Sequence, residues 1–316
     1  TDPDVSVYLN SLVVSEVMYH PRMPSGAELS VSTEDDDFEY VTVMNAGAVA
    51  LDMSNIRFTK GIDFDFAGSS VTSLAPGERA VVVKNVAAFN ARYAANLGSI
   101  RVAGAWQSSD SLSNSGEQIK LSFGAGTTVR DFTYDDEAPW PVEADGAGYS
   151  LVLVAPWTIP NHALPGSWRL SLGIDGTPGR YDGTRFSDWK ASHGGITDTG
   201  DGDNDGLNNL LEYTLLGNPA SASQAQLPAA SVQTFSTPGG DLPFLTLTVK
   251  VARGADDAAL IPERSTDLSG WDSSAAAVVL ESAVPDGSGG TTIKWRSAQP
   301  WDAGVREYLR LRVQLR

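Results

Sequence analysis

Residues 201–212 read Asp201-Gly202-Asp203-Asn204-Asp205-Gly206-Leu207-Asn208-Asn209-Leu210-Leu211-Glu212. They match the template D-x-[DN]-x-[DN]-G-x5-E at every specified position. Alternating acids, a glycine and a closing glutamate are the donor set of a hard cation, which takes about six to eight oxygens. The implied ion is calcium. Asp201, Asp203 and Asp205 would supply side-chain oxygens. Leu207 would offer its backbone carbonyl, and Asn209 would act through a water. Glu212 would close the site with both carboxylate oxygens, and Gly206 permits the sharp turn. With no cation bound, the four carboxylates repel one another and the loop should fray.

The elements on either side must hold these groups together. Downstream, Leu207, Leu210, Leu211 and Leu215 share one face of a predicted helix. Gly217-Asn218-Pro219 ends it. Upstream, Phe186 to His193 reads as a short helix closed by Gly194-Gly195. Residues 194–200 then separate that helix from the loop, whereas an EF-hand helix runs straight into its loop. The segment therefore resembles a dockerin or thrombospondin-type-3 loop, held by its exit helix, with Asp198 as an added ligand or part of a second, partial site. Calcium sensors come in pairs and open a groove. A single loop without a methionine-rich groove favours a permanent staple.

Other candidate groups are weaker. Asp135-Asp136-Glu137 before Trp140 has the residue types of a glycosidase acid/base pair, and it reads equally as a solvated turn. The acidic run from Glu34 to Glu39 reads the same way. The histidines, His20, His162 and His193, are far apart and lack zinc-site spacing. No G-x-S-x-G elbow occurs, and no P-loop or G-x-G-x-x-G. Eight tryptophans include Trp106, Trp140, Trp157 and Trp301 in predicted loops. There they could stack on sugars, with Trp140 and Trp301 the foremost candidates, or simply seal edges and seams.

The expected fold class is mainly β. Residues 1–155 carry short apolar or alternating runs: Leu12–Met18, Tyr40–Met44, Ile56–Thr59, Ala80–Lys84, Gln118–Phe123, Val129–Tyr134 and Ser150–Val154. Turn signals separate them, the pattern of an antiparallel sandwich. Val86 to Ala95 reads as a short helix. Residues 156–185 form a Pro-, Gly- and Trp-rich extension, in which Trp157 and Trp168 should pack on the sandwich. The calcium segment occupies 186–219 and a low-complexity linker 220–240. Residues 241–316 return to strands at Phe244–Val249, Thr291–Trp295 and Tyr308–Val313, joined in part by the loop Pro285–Gly290. They predict a second, smaller β-sandwich.

The first segment resembles a bacterial lamin-tail domain, an immunoglobulin-like sandwich. The carrying residues are Val14-Ser15-Glu16-Val17-Met18-Tyr19-His20-Pro21 and Glu39-Tyr40-Val41-Thr42-Val43-Met44-Asn45. Leu51-Asp52-Met53-Ser54, Leu74-Ala75-Pro76-Gly77 and Leu112-Ser113-Asn114-Ser115-Gly116-Glu117 follow in order. Tyr134-Asp135-Asp136-Glu137-Ala138-Pro139-Trp140-Pro141 and Gly148-Tyr149-Ser150-Leu151 complete the set. Thr42 departs from the acidic residue usual at its position. Arg264-Ser265-Thr266-Asp267-Leu268-Ser269-Gly270-Trp271 and the closing Tyr-Leu-Arg-Leu-Arg-Val strand resemble small C-terminal β-domains of exported bacterial proteins. The ordered combination resembles the C-terminal region of large surface proteins that carry a CotH-type kinase-like domain upstream. The resemblance implies a spacer or interaction module without activity, and no kinase signature is visible.

Composition narrows the classes further. The chain has 316 residues, a net charge of −17 and no cysteine. That excludes a disulfide framework, thiolate metal sites and a cysteine nucleophile. An acidic chain without a Lys/Arg cluster is a poor nucleic-acid binder. Its field attracts divalent cations. No run is apolar and long enough for a spanning helix. The start Thr1-Asp2-Pro3 carries no export signal and reads as trimmed.

The leading expectation is a non-catalytic extracellular or cell-surface interaction protein with a calcium-stapled joint between two β-domains. Its partner would be a protein, a glycan or a second copy. The alternatives are a carbohydrate-binding accessory region of a secreted enzyme, and a metal-dependent hydrolase with an unrecognised site.

Overall fold

The computed structural model describes residues 3–222 and 227–316. Thr1, Asp2 and 223–226, the last within the predicted linker, lie outside the described residues. The chain is mainly β and divides into two compact units, Thr1–Asp182 and Gly183–Arg316.

The first unit begins with helix α1 (Pro3–Leu9) and strand β1 (Leu12–Met18). The chain then forms β2 (Tyr40–Asn45), β3 (Leu51–Asp52), β4 (Ile56–Lys60), β5 (Phe64–Asp65), β6 (Ser73–Leu74) and β7 (Arg79–Val83). Helix α2 (Val86–Arg92) leads to β8 (Val102–Ala105), β9 (Glu117–Phe123), β10 (Thr127–Tyr134), β11 (Leu151–Leu153) and β12 (Trp168–Leu170). One sheet has six strands in the order β12-β11-β1-β2-β7-β8, and a second has four, β10-β9-β4-β5. Both sheets feed one core, with Val14, Val41 and Leu151 from the first and Phe58, Leu121 and Phe132 from the second.

One pairing departs from the antiparallel expectation. β8 runs parallel to β7, because α2 lies between them in the chain and a parallel neighbour needs such a crossover. Asn85 starts α2 by accepting hydrogen bonds from the amides of Ala87 and Ala88. The extension after residue 155 joins this unit. Its strand β12 pairs with β11, and buried Trp168 stacks on Phe132 at 5.3 Å.

The core is built around buried carboxylates that hold distant loops. Glu16 lies mid-strand in β1 and is buried. Its Oε1 accepts from Tyr40 Oη at 2.7 Å, Ser150 Oγ at 2.7 Å and the Thr177 amide at 2.8 Å. Gly176 makes this approach possible, since a Cβ there would lie 2.1 Å from Tyr40 Oη. Glu39 is fully buried, and its Oε2 accepts from the Leu112 amide at 3.1 Å. Glu28 instead meets cations. Arg22 approaches it at 2.9 Å and Arg92, itself buried, at 3.0 Å.

The second unit contains helices α3 (Phe186–Ser192) and α4 (Asn209–Leu215). Strands β13 (Ala229–Thr237), β14 (Gly240–Ala252), β15 (Ala258–Ser265), β16 (Val278–Pro285), β17 (Gly290–Ser297) and β18 (Tyr308–Leu315) follow. β13-β14-β17-β16 form one sheet, and β15 pairs with β18 in another. Leu207 and Leu215 pack with Val249, Val251, Val278 and Trp295, so the helical segment shares the strands' core.

Two expectations from sequence need correction. The second half of the predicted linker 220–240 is largely strand, because β13 pairs residue for residue with β14 from Ala229↔Thr248 to Thr237↔Gly240. The loop 201–212 falls within the second unit instead of between two β-domains.

Burial makes the first unit pH-sensitive. Burial raises the Glu16 carboxyl from 4.5 to about 7, against the opposing hydrogen bond from Ser150. Glu39 also rises, again through burial first. A raised carboxyl stabilises the fold below its unfolded value, and that stability is lost as pH rises through the folded value. His162 is lowered to about 3, chiefly by burial, so its contribution is complete above its ordinary 6.5. Above pH 6.5 only the carboxyl losses remain. The first unit's melting temperature should therefore fall between pH 6.5 and 9 in circular dichroism, and Glu16→Gln with Glu39→Gln should flatten that slope. An equally steep slope in the double variant would contradict this assignment.

Candidate metal centre

Helix α4 places the closing glutamate. Asn208 caps it, its Oδ1 accepting the Leu211 amide at 3.0 Å. Leu207 and Leu215 anchor it in the core. One residue beyond the helix, Leu216 takes φ 61°, and the Gly217 amide returns to the Glu212 carbonyl at 2.7 Å. A Cβ on Gly217 would sit 2.9 Å from Glu212 Cβ. Glycine there lets the chain fold back tightly against the glutamate.

The loop wraps its amides around its own aspartates. Asp201 accepts from the Asp205 amide at 3.2 Å and the Gly206 amide at 3.1 Å. Asp203 accepts from Asp205 at 3.3 Å, and Asp205 from Leu207 at 2.8 Å. Asn204 and Gly206 adopt positive φ, 62° and 92°, which gives the loop its curl. Asp201, Asp203 and Asp205 each present a carboxylate oxygen, all within 4.8 Å of one another.

Glu212 is 1% exposed, and its Oε2 has no hydrogen-bond partner. Asp203 Oδ2 is also buried without one. Burial raises the Glu212 carboxyl to about 7, followed by the charges of Asp203, Asp205 and Asp201, with His193 opposing. Orphaned carboxylate oxygens facing three aspartates fit a hard divalent cation: oxygen donors only, and a negative field that the ion would neutralise.

The remaining sequence candidates make contacts of their own, with Asn209 Oδ1 left buried and unpartnered. Asn209 is buried and turns toward the residues before the loop. Its amide donates to Gly200 O at 2.8 Å and its Nδ2 to Thr197 O at 2.6 Å. The Asp198 carboxylate meets the Lys190 ammonium, and its carbonyl accepts from the Leu210 amide at 3.3 Å. Asp198 therefore braces the approach to the loop, where the sequence reading has it as a ligand. Trp140 is 8% exposed and packs beside Trp168 in the first core. Burial leaves it no face for a sugar. Trp301 is 37% exposed. In the acidic run before β2, Asp35 lies 3.5 Å from His20.

Sequence reasoning passed over Asp257, which anchors this segment. Its Oδ2 accepts the Phe186 amide at 2.8 Å and its Oδ1 the Tyr213 hydroxyl at 2.5 Å. No family model, no curated protein and no solved structure matches the chain.

Charge repulsion at this site gives a two-signed expectation. In EDTA, Asp203→Asn should raise the second unit's melting temperature by a few degrees, because one of the crowded charges is gone. In millimolar calcium the same variant should melt below the wild type. Differential scanning calorimetry in both buffers reads the crossover, and a change of the same sign in both would refute it.

Proposed function

We propose that this chain is a non-catalytic interaction or structural protein that works outside the cell, with its second unit stapled by one calcium ion. The observation that carries the reading is the cluster of Asp201, Asp203 and Asp205 together with Glu212, a buried carboxylate with an unpartnered oxygen that feels the charge of all three. Asp201, Asp203, Asp205 and Glu212 are the side-chain ligands, and the Leu207 carbonyl completes the set the template specifies. The ion draws together a loop that its own charges would push apart. It joins the loop to α4, and α4 is already part of the β core. Extracellular modules of this kind bind calcium at about 10⁻⁴ to 10⁻³ M.

Other features agree with a spacer or adhesion role. Among the described residues no helix is long and apolar enough to cross a membrane. The resemblance of the first unit to bacterial lamin-tail domains supports an immunoglobulin-like interaction module. The buried carboxylates Glu16 and Glu39 each hold a backbone amide. The carbohydrate-binding alternative keeps Trp301 as its exposed indole, and the hydrolase alternative would need turnover that depends on Asp135.

Isothermal titration of the full chain with calcium chloride tests the proposal. One equivalent should bind in the 10⁻⁴ to 10⁻³ M range. Calcium at 100 times its dissociation constant should add about 2.7 kcal/mol to the unit that holds the loop. Identical melting curves in EDTA and in millimolar calcium would end the calcium reading. Turnover of an ester, phosphate or glycoside substrate that is lost in Asp135→Asn would end the non-catalytic one.

A further inference from the structure

Glu212 and Tyr213 are neighbours on α4, and adjacent residues on a helix diverge by about 100°. Glu212 goes toward the aspartates. Tyr213 goes into a second cluster with Phe186, Ala255 and Ala258. There its hydroxyl lies 2.5 Å from both Asp257 Oδ1 and the Thr184 carbonyl. The other oxygen of Asp257 receives the first amide of α3, from Phe186, at 2.8 Å. The Asp257 carbonyl accepts the Arg316 amide at 2.9 Å, which fixes it to the end of β18. One residue therefore joins the start of α3 and the middle of α4, through its carboxylate, to the end of β18, through its carbonyl.

This arrangement matters because α4 has only seven residues. So short a helix has no stability of its own and takes its position from tertiary contacts. A hydrogen bond to a charged acceptor is roughly twice as strong as a neutral one. Anchoring Tyr213 sets the rotation and height of α4, and those set where the Glu212 carboxylate lies beneath the loop.

We propose that Asp257, 45 residues beyond Glu212 in sequence, is a positioning residue for the calcium loop and acts through Tyr213. This rests on the calcium reading given above. Coupling between two sites is reciprocal. The anchor favours calcium binding, and calcium in turn tightens the hold on Thr184 to Phe186, where the chain enters the second unit. Calcium occupancy thus regulates how firmly that entry segment is fastened.

The test uses the full chain with calcium chloride. Calcium affinity is measured by titration for wild type, Tyr213→Phe and Asp257→Asn. Hydrogen exchange of the Phe186 amide is followed in EDTA and in calcium. Each variant should bind about 5- to 20-fold more weakly. In wild type, calcium should slow Phe186 exchange by about the same factor. Phe244→Leu serves as a control, since Phe244 packs against Phe235, outside the cluster that holds Leu207 and Leu215, and should leave calcium affinity unchanged. A purely structural role would lower the variants' melting temperature equally in both buffers, with wild-type affinity, and would overturn the inference. Should a variant fail to fold, the wild-type exchange experiment still decides, because calcium-independent Phe186 exchange overturns it. If the wild type binds no calcium, the calcium reading falls and this inference falls with it. If the wild type binds and Tyr213→Phe binds equally well, only the role of Asp257 is lost.

Discussion

A carboxylate taken out of water must find donors or cations, and this acidic chain places several of its acids inside. Most of the architecture follows from how each is satisfied. Glu16 gathers a tyrosine, a serine and a backbone amide from three parts of the first unit. Glu28 is clamped by two arginines. Burial would raise its carboxyl, yet the bonds from Arg22, Arg92 and Ser25 prevail and hold it at about 2. Glu263 in the second unit is met by Arg310 and Arg312. In each case the acid ties together segments far apart in sequence, which is what a covalent crosslink would do in a chain with cysteines. The chain has none.

Glu212 stands out against this pattern. Like Glu16 and Glu39 it is buried with one oxygen unpartnered, but those two accept hydroxyl or amide donors on the other oxygen, whereas the charges around Glu212 are those of Asp203, Asp205 and Asp201. Carrying an uncompensated buried charge costs several kcal/mol. A chain that satisfies Glu28 and Glu263 with arginine has the means to do so at 212 as well. The missing partner is therefore better supplied from solution, and a divalent cation fits the oxygen-only donor set. The helix makes the case stronger. Leu207 and Leu215 bind α4 into the β core, so the glutamate cannot swing out to water without losing that burial.

How much of this was legible in the sequence depended on how local the signal is. The loop template was legible because its ligands lie within twelve residues and each position has its own chemistry. The core strands were legible because period-two alternation is a local pattern. β13 was not. Ala229-Ala230-Ser231-Val232-Gln233-Thr234 has the composition of a linker, and only its pairing with β14 makes it a strand. Asp257 was invisible for the same reason, since its partners Phe186 and Tyr213 come from distant segments. The pairing of Asp198 with Lys190 was not legible, because spacing cannot show which lysine an acid meets. Glu16 did leave a trace, a single acid inside the apolar run from Leu12 to Met18.

The loop's place in the chain then acquires a physical meaning. A staple between two folded domains would have to act across a linker. Here the proposed ligands lie on a loop and a helix that already belong to one core. A bound ion, as proposed, would therefore act on the order of one unit. Its effect would reach the first residues of that unit because Tyr213 follows Glu212 and meets the same carboxylate as the Phe186 amide. A displacement of α4 that moves Glu212 also strains the entry segment, so both are held by a single helix of two turns.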